Sequence, residues 1–246
     1  HPYDALLEEY EPGMKTADVR AIFNAIRPRQ VELLRAIADS GQVDNSFIKQ
    51  SYPFEDQRKL GSFIAGRFGY DLERGRIDLA PHPFTTSFGA GDVRITTRFL
   101  DTDGMSALFS TMHETGHALY DQGLDPKYHE TSLGQAASYA IHESQSRLWE
   151  NLVGRSREFC GFAFPVMQML FPQHLGNVSL EQFYRGINRV EPSLIRVEAD
   201  EATYNLHIML RFEIETGLLE GSLQARDLPE IWNTRMQEYL GLTPPD

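Results

Sequence analysis

The segment HETGH, His113 to His117, carries two imidazoles and a carboxylate within five consecutive residues. Residues four apart lie on the same face of an α-helix, so both histidines can reach one metal ion. Glu114 projects to the side of that pair, where its carboxylate can act on a water molecule beside the metal. A pattern this short also arises by chance, so a catalytic zinc site and a coincidental pair of histidines both stay open at this point.

A catalytic zinc takes three protein ligands and keeps one position for water. Candidates for the third ligand lie downstream in AIHESQSRLWEN, which contains His142, Glu143 and Glu150. Adjacent residues on a helix point about 100° apart, so His142 and Glu143 are not expected to bind the same ion. Glu150 lies about two turns further on, which favours the surface or a position behind the ligands. Arg147 follows Glu143 by four residues and can pair with a carboxylate on the same face.

Most of the elements that must position these residues are predicted to be helical. Apolar residues recur at helical spacing over about 55–68, 105–122, 132–157 and 199–219. Gly123 is expected to end the second of these helices. Thr16 is predicted to cap an earlier helix, which Pro28 should end or kink.

Capping boxes predict two further helix starts, one formed by Ser179 with Gln182 and the other by Asp227 with Glu230. In each box the first side chain bonds the backbone N–H three residues on, and the side chain of that later residue bonds the backbone N–H of the first. No repeat or shift in composition marks a boundary, so we predict one catalytic core over residues 1–246.

A single strand stands out at DVRITTRF, Asp92 to Phe99. Val93, Ile95, Thr97 and Phe99 alternate there with Arg94, Thr96 and Arg98, which is typical of a strand with one buried face and one solvated face. If this strand has a free edge, an extended peptide could pair with it.

The composition is that of a globular protein with an acidic surface. The net charge of −12 argues against nucleic acid or an anionic membrane as a partner. Cys160 is the only cysteine, so no internal disulfide can form, and its apolar surroundings predict a buried structural thiol. The sparse cysteine usage favours a cytoplasmic location.

Five ordered motifs resemble those of the thermostable carboxypeptidase Taq-type metallocarboxypeptidases. They are HPF at His82 to Phe84, DVRIT at Asp92 to Thr96, HETGH at His113 to His117, HESQ at His142 to Gln145, and IRVEAD at Ile195 to Asp200. The resemblance runs along almost the whole chain and is far more specific than HETGH alone.

This resemblance implies a mainly α, gluzincin-like metallopeptidase fold with a groove and a small β element near Asp92–Phe99. It implies release of C-terminal amino acids from peptides with one divalent metal, for which zinc is preferred over cobalt and manganese. The ligands would be His113, His117 and Glu143, with Glu114 as the general base. The motif residues expected along the groove are Arg94, His142, Gln145, Arg196 and Asp200.

A carboxypeptidase must also recognise a free α-carboxylate, which an arginine can bond with two parallel hydrogen bonds. We favour Arg196 over Arg94 for this role. Asp200 lies four residues after Arg196, so on a helix it could hold the guanidinium. Tyr204 is our candidate donor to the oxyanion that forms when water attacks the peptide carbonyl.

Members of the resembled family are longer than this chain, which lacks their N-terminal helical region and a C-terminal motif with Gln-Asp and His-Trp. We therefore expect a form truncated at both ends. Two alternatives to an active carboxypeptidase stay open: a catalytically weak or inactive metal-binding domain, and a zinc endopeptidase. A peptide substrate is expected in each active case, and a homodimer is an open alternative to a monomer.

Overall fold

The structure is a computed structural model that describes residues 1–245, and it is mainly helical with one small sheet. In chain order the α-helices are α1 (Asp4–Leu7), α2 (Thr16–Ala38), α3 (Phe54–Phe68), α4 (Ser106–Gln122), α5 (Tyr139–Arg147), α6 (Arg157–Leu170), α7 (Pro172–Leu175), α8 (Leu180–Ile187), α9 (Tyr204–Glu220) and α10 (Leu228–Leu240). The strands are β1 (Ile77–Leu79), β2 (Thr85–Ser87) and β3 (Val93–Thr97).

The chain divides into two compact units. The first, unit 1, comprises His1–Gln42 together with the chain from Asn188 onward, and its core forms around Leu206 and Leu210 of α9. The second, unit 2, comprises Val43–Ile187 and has a larger apolar core. The single catalytic core proposed from the sequence stays a prediction. No helix in the described part of the chain has the length and apolar character needed to cross a membrane.

The sheet of unit 2 has the order β1-β3-β2, with β3 parallel to β1 and antiparallel to β2. The strand predicted near Asp92–Phe99 is therefore confirmed as β3. Its expected free edge is wrong, because both sides of β3 are already paired. Thr96 is buried rather than solvated, since its hydroxyl contacts the backbone N–H and carbonyl of Phe84.

Helix α4 carries HETGH and packs directly against α5 at Gly116. A Cβ at Gly116 would lie 2.5 Å from Ser146 Cα and 2.6 Å from the Gln145 carbonyl oxygen, well inside van der Waals contact. The two backbones can therefore meet only because Gly116 has no side chain. Gly123 ends α4 as predicted.

The helix predicted over 132–157 is wrong at its start and in its form. Helix α5 begins at Tyr139 because the Ser138 hydroxyl caps it by accepting from the Ile141 N–H. After Arg147 the chain continues as a π-helix, Leu148–Val153, which is a rare form that is frequent at functional sites.

Several predicted boundaries in unit 1 are also corrected. Helix α2 continues through Pro28, and Thr16 is its first residue rather than its cap. The Asp4 carboxylate accepts from both the N–H and the hydroxyl of Thr16 and so satisfies this helix start from outside. Asp227 precedes α10 without making the predicted capping bond.

The capping box at the start of α8 is confirmed in both directions. The Ser179 N–H donates to Gln182 Oε1 at 2.8 Å, and the Gln182 N–H donates to Ser179 Oγ at 3.2 Å. Cys160 is fully buried in α6, and burial raises the pKa of its thiol to about 11. Cys160 is therefore a structural thiol, as the sequence predicted.

We predict that Gly116→Ala lowers the free energy of unfolding by about 1–3 kcal/mol, because its methyl group must push α4 away from the α5 backbone. The measurement is urea unfolding of the metal-free protein. Gly161→Ala in α6 is the matched control, since a Cβ there meets nothing within 4 Å. That control should gain up to about 1 kcal/mol from helix propensity. Equal effects of the two substitutions would contradict the close-packing argument.

Candidate metal centre

Three side chains of unit 2 converge at the crossing of α4 and α5. One ligand atom from each of His113, His117 and Glu143 lies within 4.8 Å of the other two. Glu143 Oε2 lies 3.6 Å from His113 Nε2 and 3.2 Å from His117 Nε2. The two imidazole rings are nearly perpendicular, with centroids 5.0 Å apart. Both histidines thus present the same ring nitrogen to the same carboxylate oxygen.

This donor set suits a divalent ion of the zinc type. Two imidazole nitrogens and one carboxylate oxygen form the three-ligand set of a catalytic zinc site. The remote nitrogen of each histidine also has a partner within the protein, as metal-binding histidines almost always do. The residues therefore fit one divalent metal, although ligand type does not separate zinc from cobalt or manganese.

Glu114 is buried, with 6% of its surface exposed, and it lies on α4 between the two histidines in sequence. Its carboxylate Oε2 accepts a 2.6 Å hydrogen bond from the Thr85 hydroxyl on β2. The same hydroxyl lies 3.1 Å from the Glu114 carbonyl oxygen. Thr85 on edge strand β2 thus holds one oxygen of this carboxylate in place beside α4.

His113 and Glu143 are held by a network that runs through Glu150 and Arg147. Glu150 Oε2 lies 2.8 Å from His113 Nδ1 and accepts from Arg147 Nη1 at 3.1 Å. Arg147 Nε donates to Glu143 Oε1 at 3.0 Å, and the Ser146 hydroxyl donates to Glu143 Oε2 at 3.0 Å. Glu150 therefore contacts the ring nitrogen of His113 that faces away from Glu143. This is the position behind the candidate ligands that was one of the two considered for it from the sequence.

The charges of this network shift the pKa values of the metal-free chain. Burial acts to raise the pKa of Glu143, but the His117 hydrogen bond and the charges of His113 and Arg147 outweigh it and bring the pKa to about 2. For His113, burial acts to lower the pKa, yet the hydrogen bond and charge of Glu150 raise it overall. Burial also opposes the ionised form of Glu150, whose pKa is nevertheless lowered by the His113 hydrogen bond. Glu143 is thus ionised and ready to bind a cation at neutral pH.

His142 contacts the second histidine ligand. Its Nδ1 lies within hydrogen-bonding distance of His117 Nδ1, and its Nε2 lies 3.1 Å from Asp121 Oδ1. The His142 ring lies tilted against the Tyr120 ring at a centroid distance of 4.6 Å and is stacked with the Tyr139 ring at 6.1 Å. His142 thus lies beside His117, and its place along a substrate groove stays a prediction.

The other substrate-binding candidates fall in both units. In unit 2, the exposed Arg94 forms a bidentate pair with Asp92, and Gln145 lies on α5 with its carbonyl against Gly116.

In unit 1, Arg196 lies in a short 3-10 turn, Arg196–Glu198, and donates to the Tyr204 hydroxyl at 2.7 Å. Asp200 precedes α9 and accepts from the backbone N–H groups of Glu191, Ala202 and Thr203. The expectation that Asp200 holds Arg196 on one helix face is therefore wrong, because the helix begins only at Tyr204.

Asp121 and Thr85 are among the residues around the centre that escaped the sequence reasoning. Asp121 follows His117 by four residues on α4, so the helical spacing that paired the histidines could have identified it. Thr85 is far from Glu114 in sequence and offered no local pattern. The two residues come together because β2 pairs with β3 and lies beside α4.

Comparisons with known proteins identify the family of this chain. The family model described as carboxypeptidase Taq (M32) metallopeptidase matches residues 1–246. Thermostable carboxypeptidase 1 of Thermus thermophilus is 48% identical over 245 residues, which are 99% of this chain and 48% of that protein. Carboxypeptidase 1 of Bacillus subtilis is 42% identical over 245 residues, covering 99% of this chain and 49% of its own length.

Solved structures show the same relationship. An M32 carboxypeptidase from Deinococcus radiodurans R1 superposes with a TM-score of 0.97 at 44% identity, over 100% of this chain and 49% of that one. A Pyrococcus furiosus carboxypeptidase gives a TM-score of 0.93 at 42% identity, over 99% of this chain and 50% of that one. The chain thus spans about half the length of the relatives it matches.

We predict one tightly bound divalent ion per chain, and that His117→Ala releases it because only two ligands remain. Elemental analysis after dialysis measures the metal content. His129→Ala, which removes an exposed histidine of the same unit, is the control and should keep the full content. Unchanged metal in His117→Ala would show that the site is misassigned.

Proposed function

Because this chain belongs to the carboxypeptidase Taq (M32) metallopeptidase family, we propose that it releases C-terminal amino acids from peptides by metal-dependent hydrolysis. The observation that carries the proposal is the convergence of His113, His117 and Glu143 next to the buried Glu114. The acidic charge and the sparse cysteine usage support a peptide-cleaving enzyme of the cytoplasm rather than a nucleic-acid-binding protein.

The metal would be held by Nε2 of each histidine and by the Glu143 carboxylate, with zinc proposed ahead of cobalt and manganese. A bound ion of this kind lowers the pKa of a water molecule and polarises a carbonyl oxygen. Arg147 and Ser146 keep the Glu143 carboxylate turned toward both histidines.

We assign Glu114 the role of general base. It takes a proton from the attacking water and passes it to the amine that leaves when the peptide bond breaks. Its carboxylate is buried and held by a hydrogen bond from Thr85, so its position is fixed by the protein. Its backbone position next to His113 prevents it from sharing the orientation of the two histidines.

Thr85 holds the base in position. Its hydroxyl donates to one carboxylate oxygen of Glu114 and leaves the other oxygen for proton transfer. Since Thr85 lies on a paired strand, its side chain is fixed by the sheet rather than by a mobile loop.

Recognition of the free α-carboxylate is proposed for Arg196, with Arg94 as the second choice. The Asp92 carboxylate already occupies the Arg94 guanidinium, which favours Arg196. The Arg196 bond to the Tyr204 hydroxyl oxygen polarises that O–H and supports the proposal that Tyr204 donates to the developing oxyanion. His142, Gln145 and Asp200 stay proposed as residues that line or support the substrate groove.

We predict that Glu114→Gln keeps the metal but reduces turnover of a blocked dipeptide by at least about 100-fold, the usual scale of general base catalysis. Gln has nearly the same shape and can still accept from Thr85, but it cannot take the proton. Metal content and hydrolysis are measured on the same sample. Full turnover in this variant would remove Glu114 from the mechanism, and a metal-loaded parent without turnover would favour the inactive metal-binding domain.

We also predict that Arg196→Ala abolishes the preference for a peptide with a free C-terminus over its C-terminal amide. The reason is that an unpaired carboxylate is costly to desolvate. The measurement is the ratio of kcat/KM for the two substrates, and the exposed Arg226→Ala serves as the control. A ratio unchanged in Arg196→Ala would shift the role to Arg94. A parent that cleaves both substrates equally would favour an endopeptidase.

A further inference from the structure

We propose that Arg196 and Arg211 of unit 1 together form one anion-binding site, and that a carboxylate is the ligand class that fits it. The inference rests on the proposed function and deepens it, because it adds a second arginine to the one proposed for the free α-carboxylate of the substrate. The argument starts from the positions of the two guanidinium groups along α9 and then turns to the acidic groups around them.

The two guanidinium groups lie toward one face of α9. Arg196 donates to the hydroxyl of Tyr204, which is the first residue of this helix. Arg211 follows Tyr204 by seven residues, and residues seven apart on a helix differ in direction by only about 20°. The Arg211 side chain turns back toward the helix start, because its Nη1 donates to the His207 carbonyl oxygen at 2.9 Å. Arg211 is thus directed toward the end of α9 at which Arg196 is held.

The two arginines also act on each other through their charges. Burial lowers the pKa of Arg211, and the charge of Arg196 lowers it further. Burial lowers the pKa of His207 as well, and the charges of both arginines add to that effect. His207 is therefore neutral at neutral pH, and the positive charge comes from the two arginines. Because both are partly removed from water, they repel each other, and a bound anion would relieve that repulsion.

No acidic group among residues 1–245 forms an ion pair with Arg196 or Arg211. The nearby Asp200 is already occupied, since both of its carboxylate oxygens accept from backbone N–H groups. Glu215 follows Arg211 by four residues, but its Oε2 accepts from the Tyr3 hydroxyl at 2.7 Å. The two guanidinium groups thus lack a counterion within the part of the chain that the structure describes.

Trp232 of α10 orients the second arginine. Arg211 Cζ lies 4.9 Å from the centroid of the Trp232 ring, so the indole supports the guanidinium by a cation–π contact. Only Nη1 of Arg211 donates to the described residues, and only Nη1 of Arg196 does so. Each group therefore keeps nitrogens for a ligand, and the planar fork of an arginine suits the two oxygens of a carboxylate.

The first experiment uses Trp232 as a reporter of binding. The chain has two tryptophans, so a Trp149→Phe background leaves Trp232 as the single one. N-acetylphenylalanine, which has a free carboxylate, is titrated into the metal-free chain, and its carboxamide is titrated in parallel. The carboxylate should change the Trp232 fluorescence until it saturates. The carboxamide should have no effect, because it carries no charge.

The second experiment measures the affinity for N-acetylphenylalanine by isothermal titration calorimetry, since substitution of Arg211 alters the surroundings of the fluorescent reporter. Arg211→Gln should weaken binding by about 10- to 100-fold, the scale of one lost hydrogen bond to a charged group. Arg211→Lys keeps the charge without the planar fork and should recover part of the affinity. Arg29→Gln makes the same change at an exposed arginine of α2 in unit 1 and should bind like the parent.

Sodium chloride distinguishes two sources of the anion. Displacement of N-acetylphenylalanine by chloride in the parent would show that the site also takes a free inorganic anion. Resistance to chloride would show that the site requires the two oxygens of a peptide carboxylate. Each result supports the anion site and identifies its ligand, provided that the binding depends on Arg211.

Equal affinity in the parent, Arg211→Gln and Arg29→Gln would overturn the inference, and so would equal binding of the carboxylate and the carboxamide. Thermal unfolding without ligand checks that each variant is folded, and the comparison of carboxylate with carboxamide needs no variant at position 211. Binding is read without metal and without turnover. A parent that binds the carboxylate through Arg211 but hydrolyses no peptide would therefore count against the proposed function and leave the anion site in place.

Discussion

The backbone contact between α4 and α5 at Gly116 is the constraint on which the metal centre depends. Two candidate ligands come from α4 and the third comes from α5, so they can share one ion only if the helices nearly touch. Any side chain at Gly116 would overlap Ser146 Cα and the Gln145 carbonyl oxygen. A glycine in the middle of a helix weakens that helix locally. At Gly116 this loss of helix stability accompanies direct backbone contact between the two helices that carry the candidate ligands.

Once the helices meet, the remaining problem is the density of charge around them. Glu143 and Glu150 lie close together and are partly removed from water, which is unfavourable unless each is paired. Arg147 donates to both carboxylates, and His113 lies between the same two groups. The network neutralises the carboxylates without occupying the nitrogens that face Glu143. These contacts stabilise the centre, and the Nε2 atoms of both histidines stay available to a metal.

Short-range patterns predicted the elements that carry this centre better than their boundaries. Helix α4 and its end at Gly123 followed from spacing and a single glycine, because both depend on residues within a few positions of each other. The predicted start of α5 was wrong. The apolar spacing upstream indicated an earlier start, but the Ser138 hydroxyl caps the helix at its actual beginning. The predicted pairing of Arg196 with Asp200 was wrong for a similar reason, as Asp200 is held by backbone groups before α9.

Residue types and their helical spacing were sufficient to propose His113, His117 and Glu114, and the ordered motifs favoured Glu143, which the structure brings close to both histidines. These assignments needed no folded structure, because a helix fixes the relative directions of residues one turn apart. The partners of those residues depended on the folded chain. Thr85 reaches Glu114 only through strand pairing, and His142 reaches His117 only across two helices. Contacts between residues distant in sequence are set by packing, and so the orientation of each ligand was decided by the tertiary structure.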